Sequence, residues 1–261
     1  VIGIPRIDWD FVLGLQSRFP HQAGMLSAVA GTFELMILVV ILALPAGILS
    51  AIFLQEFGAN SGSRTIRRIT RFFDILLSGM ESVPSVVYGL LGLAFFAGLM
   101  SLGRSLATAA LTLAAMAVPP IINSCRRALN SVPRETRDVS FALGASRWQV
   151  VSLNILPQAF PEIVAGSCMA LARTAGEAAP LLVIGAASHM TFIPDSLLSP
   201  FAALPVEIYN WTVQAGAGMP SNSAAAILLL LPFLLGFNII TVLGRRYWRK
   251  RSEGSGNEQF R

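Results

Sequence analysis

Two ionisable side chains, Arg173 and Glu177, stand alone in an otherwise uncharged stretch from Ile163 to Ala187. Charges placed among apolar residues are costly, and at membrane depth they usually face a protein interior or a watery path. A guanidinium is a permanent positive charge whose planar fork matches the oxygens of phosphate or carboxylate. A carboxylate four residues further on shares its helix face and can neutralise it. The spacing predicts a substrate-path or gate pair, in which Glu177 holds Arg173 until the surrounding helices open. A static structural ion pair is the alternative.

A second segment, VPRETRDVSFALGASRWQVVSLNILPQAFP from Val132 to Pro161, is mixed in a different way. Val139, Phe141, Ala142, Leu143, Trp148, Val150 and Val151 alternate with Arg134, Arg137, Asp138 and Arg147, and Gly144 permits a sharp turn between two short helices. Apolar anchors with a polar rim suit a helix that docks in a groove on a partner protein. The alternative is an amphipathic loop resting on lipid headgroups.

Other candidates carry less. Cys125 and Cys168 lack metal-ligand or redox spacing, and His189 is a lone histidine in a loop. Glu34 and Glu81 fall at the margins of apolar runs, where carboxylates reach water. No GxxxxGK[ST] loop is present to cradle a nucleotide, and no nucleophile, base and acid constellation suggests reaction chemistry. These residues read as parts of a protein that moves a solute without an ATP-hydrolysing site of its own.

The elements that must position them are membrane helices. The chain has 261 residues, 54% hydrophobic and 13% charged, with mean hydropathy +0.65, against roughly 25% charged residues in soluble domains. Apolar runs long enough to cross a bilayer predict a single all-α transmembrane bundle. It comprises an external segment 1–26, a span 27–57, a cytoplasmic loop 58–74, spans 75–102 and 104–125, a cytoplasmic loop 126–160, a span 161–187, an external loop 188–222, a span 223–244 and a cytoplasmic tail 245–261. In the external loop, the stretch around Leu204 to Val213 suits either a short interfacial helix with Tyr209 and Trp211 at headgroup level or a packed loop.

Charge sets the orientation. Arg64, Arg67, Arg68, Arg71, Arg126, Arg127, Arg134, Arg137 and Arg147 share one side with Arg245, Arg246, Arg249, Lys250, Arg251 and Arg261, whereas Arg6, Arg18 and Arg104 fall on the other. The bias places the carboxyl terminus and the 126–160 loop in the cytoplasm. An external amino terminus without a visible signal sequence predicts one further amino-terminal span, six in all. The net charge of +5 is gathered at the ends of apolar runs, which excludes a nucleic-acid-binding face. The lipid bilayer is the expected surrounding.

The mixed segment resembles the cytoplasmic loop of permeases from binding-protein-dependent ABC importers: Glu-Ala-Ala, three residues, Gly, nine residues, Ile-x-Leu-Pro. Gly144, Leu156 and Pro157 match, Ala145, Ser146, Arg147 and Trp148 follow the family's habit, Asp138, Val139 and Ser140 replace Glu-Ala-Ala, and Asn154 replaces Ile. The resemblance implies the type I ABC importer permease (MetI-like) fold, with Asp138, Ser140, Leu143 and the residues from Gly144 to Trp148 meeting an ATPase subunit. Residues 170–182, ALARTAGEAAPLL, resemble a stretch of phosphate permeases of the PstA type, and 82–93, SVPSVVYGLLGL, a stretch that both permeases of phosphate systems share. This implies inward transport of inorganic phosphate across a bacterial cytoplasmic (inner) membrane; another oxyanion such as molybdate, sulfate or phosphonate is the nearest alternative, and a secondary transporter a more distant one. The implied partners are a second, homologous permease (PstC type), two cytoplasmic ATP-binding subunits (PstB type), which would hold ATP and Mg, and an external phosphate-binding protein (PstS type).

Overall fold

The computed structural model describes residues 3–239, leaving out 4, 6, 18, 59–62, 187–189, 191, 215–218, 233, 237 and 238. The expected tail 245–261, the end of the last span and His189 lie outside the described residues. The described residues form helices joined by turns, with no strand among them. In chain order these are α1 (Trp9–Leu13), α2 (Leu26–Ile52), α3 (Arg64–Ser82), α4 (Ser85–Gly92), α5 (Leu106–Asn130), α6 (Arg134–Ala142), α7 (Arg147–Gln149), α8 (Leu156–Ala175), α9 (Ala179–Ile184), α10 (Leu204–Val213) and α11 (Met219–Gly236). Wide π-helical turns extend α2 through Phe53–Gly58 and α4 through Leu93–Leu99, and join α7 to α8 through Val150–Ile155.

Four helical runs are long and apolar enough to cross a membrane: Leu26–Gly58, Leu106–Asn130, Arg147–Ala175 and Met219–Gly236. The remaining expected span, 75–102, falls on a sharply bent helix pair, α3 followed by α4 and its π turn, which is long and apolar enough only when both parts are taken together and which is interrupted beside Pro84. Proline lacks the N–H that a continuous helix would need there. Both expected cytoplasmic loops contain helix: the first half of α3 lies within 58–74, and the end of α5, then α6, α7 and the start of α8, within 126–160.

The chain divides into two compact units, residues 1–42, 83–116 and 172–236 in one and 43–82, 117–171 and 237–261 in the other. The first is built round Phe11, Met25, Met190, Leu204, Trp211 and Met219, all buried. The Phe11 and Trp211 rings lie 5.9 Å apart, centre to centre. The loop before α10 satisfies helix ends that would otherwise be orphaned: Leu106 and Ala107 at the start of α5 donate to the Ser199 and Leu197 carbonyls. Thr32 of α2 accepts from the Leu204 amide at 2.8 Å.

The second unit is tied by close approaches and polar links. A β-carbon at Gly47 would meet the Ile121 side chain at 2.5 Å, and one at Gly166 would meet Ser124 at 2.6 Å. Cys125 is a small buried packing residue beside Ser167, with a sulfur to oxygen distance of 3.8 Å. Arg126 bridges Asp74 of α3 and Gln55 of the first π turn, so α5 holds both.

Candidate coupling surface and pathway residues

The expected turn at Gly144 forms by a specific hydrogen-bond pattern. Helix α6 ends as Gly144 enters the left-handed region at φ +83°, where a residue without a β-carbon is favoured. The Gly144 amide donates to Phe141 and the Ala145 amide to Ser140, which satisfies the last carbonyls of the helix in a Schellman closure. Ser146 then opens α7 with a reciprocal capping box: its hydroxyl accepts from the Gln149 amide, and the Gln149 side chain accepts from the Ser146 amide at 2.8 Å. Gly-Ala-Ser-Arg-Trp-Gln is therefore a stop signal followed at once by a start signal.

Leu156-Pro157 shapes the chain locally as well. The missing N–H of Pro157 interrupts the regular ladder. The Leu156 amide reaches back five residues to the Val151 carbonyl, and the turn widens over Val150–Ile155. Across this turn Asn154 donates to the Ser140 hydroxyl at 3.0 Å. Two of the departures from the importer pattern, Ser for Ala and Asn for Ile, thus answer one another as a hydrogen-bonded pair.

Large apolar side chains face outward here among charged and polar ones. Leu143 is 83% exposed, Trp148 60%, Val139 59% and Leu153 69%, with Phe141 also open. Behind α6 lies a cavity of about 720 Å³ lined by Glu56, Arg134, Arg137, Asp138 and Arg147 among others. Arg137 crosses its wall, donating to Glu56 Oε1 at 2.8 Å and to the carbonyls of Leu129 and Val132, each at 2.8 Å. One guanidinium therefore ties α6 to the end of α5 and to the π turn after α2.

The expected gate pair is corrected. Helix α8 stops at Ala175, and the Gly176 and Glu177 amides turn back onto Arg173 and Thr174. Glu177 leaves the helix, so a spacing of four no longer stacks it on Arg173. Arg173 is exposed, Glu177 is half-buried, and they make no ion pair with each other. Glycine at 176 favours the break, since it weakens a helix locally.

The break starts α9, whose Pro180 packs against Gly89 of α4. A β-carbon at Gly89 would sit 2.8 Å from Pro180 Cα and 2.9 Å from its carbonyl oxygen. Gly92 approaches Thr112 of α5 in the same way, and Gly185 (φ +94°) ends α9 against the Arg104 side chain. The two stretches singled out in sequence, 82–93 and 170–182, are thus brought into direct contact.

Comparison with known proteins decides the family. The family described as the binding-protein-dependent transport system inner membrane component matches residues 43–249. The chain belongs to this family. The permease is 37% identical over 234 residues to the probable ABC transporter permease protein YqgH of Bacillus subtilis (strain 168), covering 85% of this chain and 72% of that one. It is 32% identical over 224 residues to the phosphate transport system permease protein PstA of Yersinia pestis, again covering 85% and 72%. A chain of the inward-facing MetNI methionine ABC transporter superposes with a TM-score of 0.66 at 19% identity, covering 87% of this permease and 96% of that chain. That likeness is one of fold, and it agrees with the type I importer architecture expected from the sequence.

Several residues that did not stand out in the sequence sit at the centre of these contacts. Glu56 and Arg137 are a clamp, although Arg137 read as a topology determinant and as part of the polar rim of the mixed segment. Glu207 of α10 is 2% exposed, and one of its carboxylate oxygens is buried without a hydrogen-bond partner. Burial pushes its carboxyl up from the ordinary 4.5 to about 7. The sequence signal for Glu56 was a carboxylate ending an apolar span in an arginine-rich chain; for Glu207 it was an acid amid apolar and aromatic residues.

Proposed function

We propose that this permease forms half of the membrane pathway through which an ATP-driven importer carries inorganic phosphate into the cell. The observation that carries the reading is similarity over most of the chain to relatives named phosphate transport system permease protein PstA, 32% identical in Yersinia pestis and 30% in Haemophilus influenzae. Packing of Gly89 against Pro180 supports it, because it unites the two segments that resemble phosphate permeases.

In this reading a homologous second permease completes the pathway, an external phosphate-binding protein delivers the ion, and two cytoplasmic ATPase subunits bind ATP and Mg. The exposed apolar residues Val139, Leu143 and Trp148 dock in a groove of the ATPase, with Asp138, Ser140, Gly144, Ala145, Ser146 and Arg147 shaping or rimming the contact and Leu156-Pro157 setting the turn behind it. The protein sits in the cytoplasmic membrane with this surface inside the cell. Arg173, unpaired with Glu177 and standing at the end of α8, offers its guanidinium to the anion, and Glu177, half-buried beyond the break, leaves it free to do so. The permease itself hydrolyses nothing.

ATP-dependent uptake of radiolabelled phosphate into vesicles holding the assembled transporter tests this, with molybdate and sulfate as competitors. Saturable uptake that resists both competitors, and that falls at least tenfold in Arg173→Ala at equal membrane abundance, is the expected result. Transport of a competing oxyanion in place of phosphate would overturn the substrate, and uptake without ATP would overturn the mechanism.

A further inference from the structure

We propose that helix α3 is a lipid-binding element, whose arginine face holds the phosphates of anionic phospholipid headgroups while its neighbouring apolar face enters the hydrocarbon. Arg64, Arg67, Arg68 and Arg71 recur at helical spacing and line one shared concavity of about 290 Å³. All four are exposed. Four permanently charged guanidinium groups this close repel one another unless an anion lies among them.

The protein does not supply that anion among its described residues. The ion pairs described join Arg126 to Asp74 and Arg137 to Glu56. Asp74, the nearest acid on α3 itself, is therefore engaged by Arg126. No acidic residue occurs between Gly58 and Arg71.

The rest of the helix says which anion fits. Thr70 and Leu77 are buried, and Thr70 lies against Gly58, which fixes how α3 is turned. Ile75 (69% exposed) is open on the arginine side, one turn beyond Arg71; with the Thr70 and Leu77 face packed, Ile69 (48%), Phe72 (62%), Phe73 (43%) and Leu76 (43%) also stand open. At helical geometry the latter four centre about 140° round the helix from the arginines. Despite this apolar strip, α3 is not by itself among the helices apolar enough to span a membrane. A charged face, a packed face and an aromatic-rich open face describe a helix lying in the plane of a membrane surface. Free phosphate would satisfy the arginines and leave the aromatic face in water; a phospholipid satisfies both.

The test uses the full-length permease in neutral detergent, titrated with short-chain phosphatidylglycerol or short-chain phosphatidylcholine and read by native mass spectrometry. Basic groups near an anionic headgroup attract it over a zwitterionic one. Phosphatidylglycerol is therefore expected to bind at least tenfold tighter than phosphatidylcholine, with the preference shrinking as salt rises. The quadruple change Arg64→Gln, Arg67→Gln, Arg68→Gln and Arg71→Gln is expected to abolish the preference, and the matching quadruple change to Lys to keep most of it. Should the Gln variant fail to fold, as judged by circular dichroism, the pair Arg64→Gln and Arg71→Gln serves in its place, with at least a threefold loss expected. Equal binding of the two lipids by the unaltered protein, or an undiminished preference in the folded Gln variant, overturns the proposal. Displacement of phosphatidylglycerol by millimolar inorganic phosphate also overturns it, in favour of a free-phosphate site.

Discussion

Arg137 of α6 donates to Glu56 Oε1 at 2.8 Å, and both side chains are largely buried. The same guanidinium caps two carbonyls at the end of α5. A helix whose outer face is proposed to receive a push from an ATPase is thereby tied to two other elements of its own unit. Glu56→Gln is expected to weaken the tie by roughly 2 kcal/mol, short of the 3–5 kcal/mol lost when a fully buried pair is broken. Reconstituted transporter carrying it should hydrolyse ATP while importing several-fold less solute per ATP, and uptake and phosphate release measured on one preparation will show whether it does.

Ser140 and Asn154 replace two residues of the importer pattern and bond to each other. Asn154→Ile alone is expected to cost about 1 kcal/mol through the lost hydrogen bond. Ser140→Ala with Asn154→Ile restores two apolar partners and should recover most of it. A double-mutant cycle of thermal unfolding in detergent measures the coupling; strictly additive changes would mean the contact contributes nothing.

Gly89 has no room for a side chain. Gly89→Ala drives a methyl group into the Pro180 backbone, at an expected cost of about 1–3 kcal/mol together with loss of transport. Gly79 of α3 provides the contrast, since nothing lies within 4 Å of a β-carbon there. Gly79→Ala should be neutral, or stabilising by about 0.5–1 kcal/mol through helix propensity. Melting temperatures of the two variants, compared side by side, check both expectations.

Glu207 makes stability depend on pH. Its folded carboxyl titrates near 7 against an ordinary 4.5, so between these values the unfolded chain ionises while the folded chain keeps its proton. Stability therefore falls as pH rises from about 4.5 to about 7 and is level above that, a difference of about 3 kcal/mol at 1.36 kcal/mol per pKa unit. Glu207→Gln should flatten the dependence and raise the melting temperature at pH 8. Parallel pH profiles of the two proteins would dismiss the carboxyl as its source.

The solvent, the helical class and the family were legible in the sequence, for physical reasons. A bilayer leaves backbone groups unsatisfied unless they pair within a helix, so long uncharged runs such as Leu35 to Leu54 in α2 and Leu106 to Cys125 in α5 admit one reading. Turn chemistry was equally local: Gly144 stops a helix and Ser146 starts one through bonds to residues only a few positions away.

Tertiary structure decided what spacing could not. Arg173 and Glu177 had the separation of a helical pair, but whether a helix continues through Gly176 depends on what packs beyond it, and here α9 restarts with Pro180 set against Gly89. The clamp between Glu56 and Arg137 joins residues far apart in the chain, and so do the bonds of Asp74 with Arg126. Local preference is written over a few residues and can be read from them. Which distant side chains meet is settled only when the helices pack, because that choice is made by shape and burial across the whole unit.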